Sequence, residues 1–235
     1  MKFENTSVFN FDGAFRGMRN PKNSWDKSDS YWEQTTKFED GYRVFEYRIG
    51  HNDLALAQSL IKAGSEHRKF MRQIFVSVDI TAPLYWWKEF DTYKVGTVAN
   101  STSTMHKLAS TPITMNCFEM DDFEDLDTEQ GLRALKEVQW SSLISWLEDL
   151  RRTYNETKDI RYWKELIRLL PESWLQKRTV TMDYENLLAI CSKGQRRFHK
   201  LTEWSKAFID WARTLPYAQE LIFIDEKEEK KNAQC

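Results

Sequence analysis

Two short stretches hold most of the residues that could do chemistry. Thr97, Asn100, Ser101, Thr102, Ser103 and Thr104, followed by His106, form a run of small polar side chains just after Gly96. Such a run offers several hydrogen-bond donors to one ligand, and it equally suits a polar surface loop. The second stretch, Gly194-Gln195-Arg196-Arg197-Phe198-His199-Lys200, puts four potentially cationic groups just before a predicted helix start. Paired arginines there could grip a phosphate bidentately, helped by the helix's unsatisfied N–H groups. A plain basic turn between helices has the same composition. Other signatures are absent: no Gly-rich phosphate loop, HExxH, CxxC pair or GxSxG elbow. The four histidines (His51, His67, His106, His199) are scattered along the chain.

Each stretch needs elements to hold it. Ile74, Val76, Val78 and Ile80 alternate with Phe75, Ser77 and Asp79, the two-residue period of a strand. Thr81 follows as a hydroxyl cap, and Pro83 stands just inside a helix start, where its missing N–H costs nothing. The helix over 83–94 carries Leu84, Trp86, Trp87 and Phe90, and Gly96 breaks it ahead of the hydroxylated run. Upstream, Phe45, Tyr47 and Ile49 mark another strand. Asn52 or Asp53 caps a helix with Leu54, Leu56, Leu60 and Ile61 inward and Gly64 as its stop. Residues 1–45 read as an extended, loop-rich arm packed through Phe9, Phe11, Phe15 and Trp25.

Downstream, residues 114–118 read as a short strand and 120–127 as an acidic turn. A long helix opens at Asp127 or Thr128 and places Leu132, Leu135, Val138, Leu143, Trp146, Leu147, Leu150 and Tyr154 at helical spacing. Pro171 ends a second helix, which gathers Ile160, Trp163, Leu166, Ile167 and Leu170. Asp183 caps a third, with Leu187, Leu188 and Cys191 inward, and Leu201, Trp204, Phe208 and Trp211 align on a fourth.

These elements imply one α+β domain: a central mixed or antiparallel sheet flanked by long helices. The divisions are an arm over 1–45, the domain over 46–220 and a charged tail over 221–235. At 235 residues, 41% hydrophobic and 30% charged, the chain can bury one sizeable core. A net charge of −2 gives no basic field for nucleic acid, and no apolar run reaches membrane-spanning length. Three widely spaced cysteines, an odd number, argue against a disulfide scaffold or an ordinary zinc site and make a reducing cytoplasm the default. Several of the ten tryptophans, Trp86, Trp87, Trp163 and Trp174 among them, exceed what such a core hides and suggest burial between subunits.

Taken in order, the segments resemble the flavin-dependent thymidylate synthases, in particular divergent phage-like or gut-bacterial members. Glu66-His67-Arg68-Lys69-Phe70 is similar to the family's Glu-His-x-x-Phe element ahead of its central strand. Asn100-x-x-Ser103 matches the Asn and second Ser of the signature Arg-His-Arg-x-x-Ser-x-Asn-x-x-Ser-x-Arg-Tyr. The opening triplet stands here as Tyr93-Lys94-Val95, and the closing Arg-Tyr as Met105-His106. Leu170-Pro171, the helix with Leu187 and Leu188, then Arg197 and Leu201-Thr202-Glu203-Trp204 resemble the family's Leu-Pro…Arg…Ala-Gln-Trp ending. The resemblance covers residues 50–215 and puts two flavin-touching positions on Asp183 and Glu185.

What the resemblance implies is a homotetramer that binds FAD and a small-molecule nucleotide, dUMP. NADPH and methylenetetrahydrofolate would be the co-substrates for making dTMP. Ser103, Arg196, Arg197 and His106 would hold the nucleotide, and His67, Lys94 and Asn100 would lie along the flavin. No protein nucleophile is required by that scheme. Two other readings stand beside it. One is a non-catalytic or altered-specificity relative that binds a pyrimidine nucleotide and assembles as an oligomer. The other, an aromatic-rich single-strand nucleic-acid binder, is opposed by the net charge.

Overall fold

The computed structural model describes residues 1–39, 42–93, 95–120, 130–198, 201 and 203–226. Its strands are β1 (Lys2–Phe9), β2 (Tyr31–Glu39), β3 (Tyr42–Arg48), β4 (Phe75–Pro83), β5 (Val98–Ser101) and β6 (Leu175–Asp183). Four of them form one sheet in the order β1–β4–β6–β5, while β2 and β3 pair antiparallel as a separate two-stranded ribbon. Helices complete the α+β architecture expected from the sequence.

The apolar alternation sets β4. Ile74, Val76, Val78 and Ile80 are all fully buried, each contributing about 1.5–3 kcal/mol relative to exposure. The strand runs on to Pro83, so Thr81 is a strand residue and not the cap expected of it; the following helix, α3 (Leu84–Phe90), has no side-chain cap. The N–H groups of Leu84 and Tyr85 donate to the carbonyls of Trp174 and Glu172. At the other end, Tyr184 N–H donates to the Ile74 carbonyl. These partners fix β4 and β6 as antiparallel.

The chain divides into two compact units. The first comprises Met1–Glu4, Asp79–Thr92 and Ala99–Thr179. In it Trp86 and Trp87 are buried and meet edge-on at 4.9 Å, and Trp87 Nε1 donates to the Gln176 carbonyl. After α4 (Thr104–Lys107), a long helix α5 (Gln130–Thr157) packs against α6 (Ile160–Leu169). Leu147 and Leu166 join Leu108, Ile113 and Phe118 in one apolar cluster. The start expected for the long helix, and the acidic turn before it, lie outside the described residues. Residues 114–118 do not form the expected strand: Met115–Cys117 make a 3-10 turn, and Phe118 makes a lone bridge to Trp174. Asp159 caps α6 by accepting from Arg161 N–H.

The second unit comprises the described residues of Asn5–Val78, Tyr93–Val98 and Val180–Cys235. The loop-rich arm expected over 1–45 is instead largely regular: β1, a helix α1 (Phe11–Arg19) and β2 with part of β3. Phe11 and Phe15 are buried and contact Tyr184 and Phe70. Helix α2 (His51–Lys62) begins at Gly50 with no side-chain cap, so neither Asn52 nor Asp53 plays that part. Their N–H groups donate to the Asp29 carboxylate instead. Asp53 turns inward, wholly buried, and accepts from Arg19, Ser28 and Ser30. Asp183 caps α7 (Tyr184–Ile190) in a reciprocal box with Asn186, as the sequence indicates. Residues 194–198, expected as a turn, belong to a further helix α8 (Lys193–Phe198). The last expected helix is split into a π-helical turn, Glu203–Phe208, and α9 (Ile209–Arg213), with α10 (Ala218–Leu221) beyond.

Burial alone would raise the Asp53 pKa, but the donors from Ser28, Ser30 and Arg19 outweigh it and hold the carboxyl below its ordinary value. Its contribution is therefore fully present above the ordinary carboxylate range and is lost as pH falls through it. Asp53→Asn leaves Arg19, itself buried, without its counter-charge. We expect a loss of about 3–5 kcal/mol at neutral pH in urea unfolding. The gap to the unmodified protein should narrow below about pH 4. A gap independent of pH would mean that the carboxylate charge is not what stabilises this cluster.

Candidate functional site

Strand β5 delivers the hydroxylated run to a small hollow. Thr102 is fixed on both sides of its peptide: its N–H donates to the Lys177 carbonyl at 2.9 Å, and its carbonyl accepts from Gln176 Nε2 at 2.8 Å. Ser103 follows, and its carbonyl accepts from Lys107 N–H across the single turn of α4. Around this turn opens a cavity of about 210 Å³. Its polar wall is Thr81, Thr102, Ser103, Thr104, Thr111, Gln176 and two lysines, Lys107 and Lys177; Leu108, Trp174 and Leu175 form the apolar side. Lys177 is shared with carboxylates, lying 3.2 Å from Asp79 and 3.3 Å from Glu4, which hold its pKa above the ordinary value. Lys107 has no carboxylate partner among the described residues.

Whole small-molecule sites run from about 300 to 1,000 Å³. This hollow is smaller than that and rich in donors, so it suits a compact anion such as a phosphate group and not an entire nucleotide. The sequence pointed to the hydroxyls. Gln176 and Lys177 reach the hollow through strand pairing that local periodicity does not carry, whereas Lys107 and Thr111 follow the run closely along the chain.

The second unit holds a larger cavity, of about 470 Å³. It lies where the end of α1 and the turn Asn20–Lys22 meet Leu60 of α2 and the segment 66–73. Met18, Leu60 and Phe70 supply apolar surface; Asn20, Lys22, His67, Lys69 and Gln73 supply polar groups. Glu66 pairs with Lys69 at 3.4 Å, an exposed contact of little energetic consequence. Apolar surface lined beside polar groups suits a flat heteroaromatic group. Nearby in sequence, Arg68 Nε lies 2.9 Å from both carboxylate oxygens of Glu185. Burial pushes the Asp183 carboxyl above its ordinary pKa, against the Asn186 N–H that pulls it down.

Of the residues singled out from the sequence, Ser103 lines the smaller hollow and His67 the larger. Asn100 lies exposed on β5, and His106 falls within α4, its side chain outside the described part of the structure. Arg196 and Arg197 lie on α8, again with side chains outside that part, and Lys94 is outside it altogether. No group of His, Cys, Asp and Glu among the described residues is arranged to hold a metal ion, and no described helix is long and apolar enough to cross a membrane.

Neither a protein-family model nor a curated protein matches the sequence. Solved structures do. Two crystal structures of the flavin-dependent thymidylate synthase ThyX from Helicobacter pylori, each with FAD and dUMP, superpose with TM-scores of 0.65 and 0.63 at 15% identity. Both alignments cover 96% of this chain, and 99% and 98% of the other. The fold is that of ThyX. With 96% of this chain covered, the similarity reaches into residues 1–45, for which the sequence offered no counterpart.

If the smaller hollow receives a phosphate, Lys107 is a cation in it with no carboxylate partner among the described residues, and a charge-assisted bond of about 1.5–3 kcal/mol is at stake. Lys107→Met should weaken binding of inorganic phosphate by about tenfold or more in low-salt calorimetry, with the difference shrinking as salt is added. Lys177→Met should cost less, since Asp79 and Glu4 already share that charge. Unchanged affinity in Lys107→Met would remove the phosphate from this hollow.

Proposed function

We propose that the protein is a FAD-dependent thymidylate synthase, which methylates dUMP to dTMP with methylenetetrahydrofolate and NADPH as co-substrates, in the cytoplasm and as a homotetramer. The observation that supports this best is end-to-end likeness to ThyX combined with the place of Ser103 in a hydroxyl-and-lysine hollow. In this reading Ser103, His106, Arg196 and Arg197 have the role of binding the nucleotide, and His67, Asn100 and Lys94 that of binding the flavin. The larger hollow's apolar surface at Phe70 and Leu60 suits the flat part of that group. A bound flavin would carry the redox chemistry of the methyl transfer. The chain's own work is to fix the phosphate, orient the pyrimidine ring and keep water out.

One observation favours a second reading, a non-catalytic or altered-specificity relative that binds a pyrimidine nucleotide. Two positions that the resemblance assigns to flavin contacts have internal uses: Asp183 caps α7, and Glu185 is held by Arg68. Two experiments separate the readings. Purified protein that is yellow and releases FAD on denaturation, and a gene that restores growth of a thymidine-requiring host, would bear out the synthase. Colourless protein that fails to restore growth but binds dUMP would favour the second reading. Flavin-loaded protein without growth would point to another substrate.

Assembly has its own support. Trp86 and Trp87 are buried within the chain, whereas Trp25, Trp32 and Trp146 are about half exposed. The β2–β3 ribbon leaves Tyr31, Trp32, Tyr42 and Phe45 more than half exposed, and a two-stranded ribbon is marginal by itself in water. Light scattering should give a mass several times 28.1 kDa. A monomer at micromolar concentration would exclude the oligomer.

A further inference from the structure

Gln176 is nine-tenths buried, lines the smaller hollow and meets two neighbours whose chemistry leaves its amide no choice of orientation. Its Oε1 accepts from Arg178 Nε at 2.9 Å, and Arg178 has only donors to offer. Its Nε2 donates to the Thr102 carbonyl at 2.8 Å, which can only accept. Turning the amide over would oppose donor to donor and acceptor to acceptor, so the assignment does not rest on telling nitrogen from oxygen. Arg178 is itself immobilised. Its guanidinium stacks 4.2 Å above the Trp87 ring, and Nη1 donates to Asp91 at 2.8 Å. The backbone of Gln176 is pinned as well, by Trp87 Nε1.

An amide nitrogen carries two hydrogens. One goes to Thr102, and no acceptor among the described residues takes the other. We propose that this second N–H of Gln176 is a fixed donor to a phosphate oxygen in the hollow shared with Ser103 and Lys107, and that Arg178 is the positioning residue that holds the amide the right way round. The inference rests on the phosphate reading of that hollow. It adds a neutral donor whose direction is set before the ligand arrives, so little ordering is left for binding to impose. It also gives the stacked and paired arginine a function, which is to decide which end of the amide meets the ligand.

Titration of the full chain with inorganic phosphate, and then with dUMP, tests this by calorimetry and by the 15N-resolved side-chain amide signals of Gln176. The expected result is that one of the two amide protons, and not its Thr102-bonded partner, moves with the same midpoint as the heat. Gln176→Glu, which replaces the donor by a carboxylate facing an anion, should weaken phosphate binding by at least about tenfold. Arg178→Met, which frees the oxygen end, should weaken it by a smaller factor. If phosphate binds and Lys107→Met weakens it, while the Gln176 protons stay still and Gln176→Glu binds normally, the inference is wrong and the hollow's reading stands. If neither phosphate nor dUMP binds the unmodified protein, both fall together. Should Gln176→Glu fail to fold, the amide signals of the unmodified protein decide alone.

Discussion

The antiparallel pairing of β4 with β6 is the constraint on which the rest depends. Each strand runs directly into a helix, β4 into α3 and β6 into α7, and each helix start is satisfied by the other strand's end of the ladder. Leu84 and Tyr85 donate to carbonyls just before β6, and Tyr184 donates to a carbonyl just before β4. Between those ends Thr179 and Lys177 both reach the Asp79 carboxylate. Residues a hundred positions apart thus complete each other's backbone hydrogen bonding, a requirement that buried N–H groups make nearly obligatory. The pairing also sets Gln176 and Lys177 beside the hydroxylated run, since the Thr102 N–H closes on the Lys177 carbonyl.

Two acidic groups with little exposure each gather several donors. Asp53 gathers donors from Arg19, Ser28 and Ser30. Glu148 accepts from two of the three Arg151 nitrogens and from the Ile113 N–H, and these partners, the Arg151 bond foremost, hold its pKa down to about 2. Arg151 in turn donates to the Ala109 carbonyl, tying α5 to the segment after α4. Arrangements of this kind cost a great deal when half made and little when whole, which is why they define one packing among several.

Much of this could be read along the chain, and the reason is local. The alternation through Ile80, the Asp183 cap and the stop at Pro171 each involve neighbours a few residues apart, so the sequence displays them. Thr81 misled because a hydroxyl before a proline looks like a cap, while the carbonyl of Trp174, ninety residues on, had already satisfied that helix. Residues 1–45 misled because isolated aromatics among Asn, Gly and Ser resemble a loop. Their partners, such as Tyr184 and Phe70 for Phe11 and Phe15, are distant in sequence. Of the hollow around Ser103, the hydroxyls were legible as a run, whereas Gln176 and Lys177 reach it through tertiary pairing alone.

Gly96 shows how an otherwise permissive chain can be held at one point. Its φ of +81° is one that a side chain strains to adopt, and a Cβ there would come within 2.8 Å of Asp183 Oδ2 and 3.0 Å of Asn186 Oδ1. Asp183 and Asn186 form the box that starts α7, and Asn186 also donates to the Val95 carbonyl. The adjoining Val95 side chain, by contrast, is 89% exposed and touches little. Sequence drift can therefore run freely at 95 and stall at 96. Such a position acts as a fixed peg around which neighbouring residues can exchange.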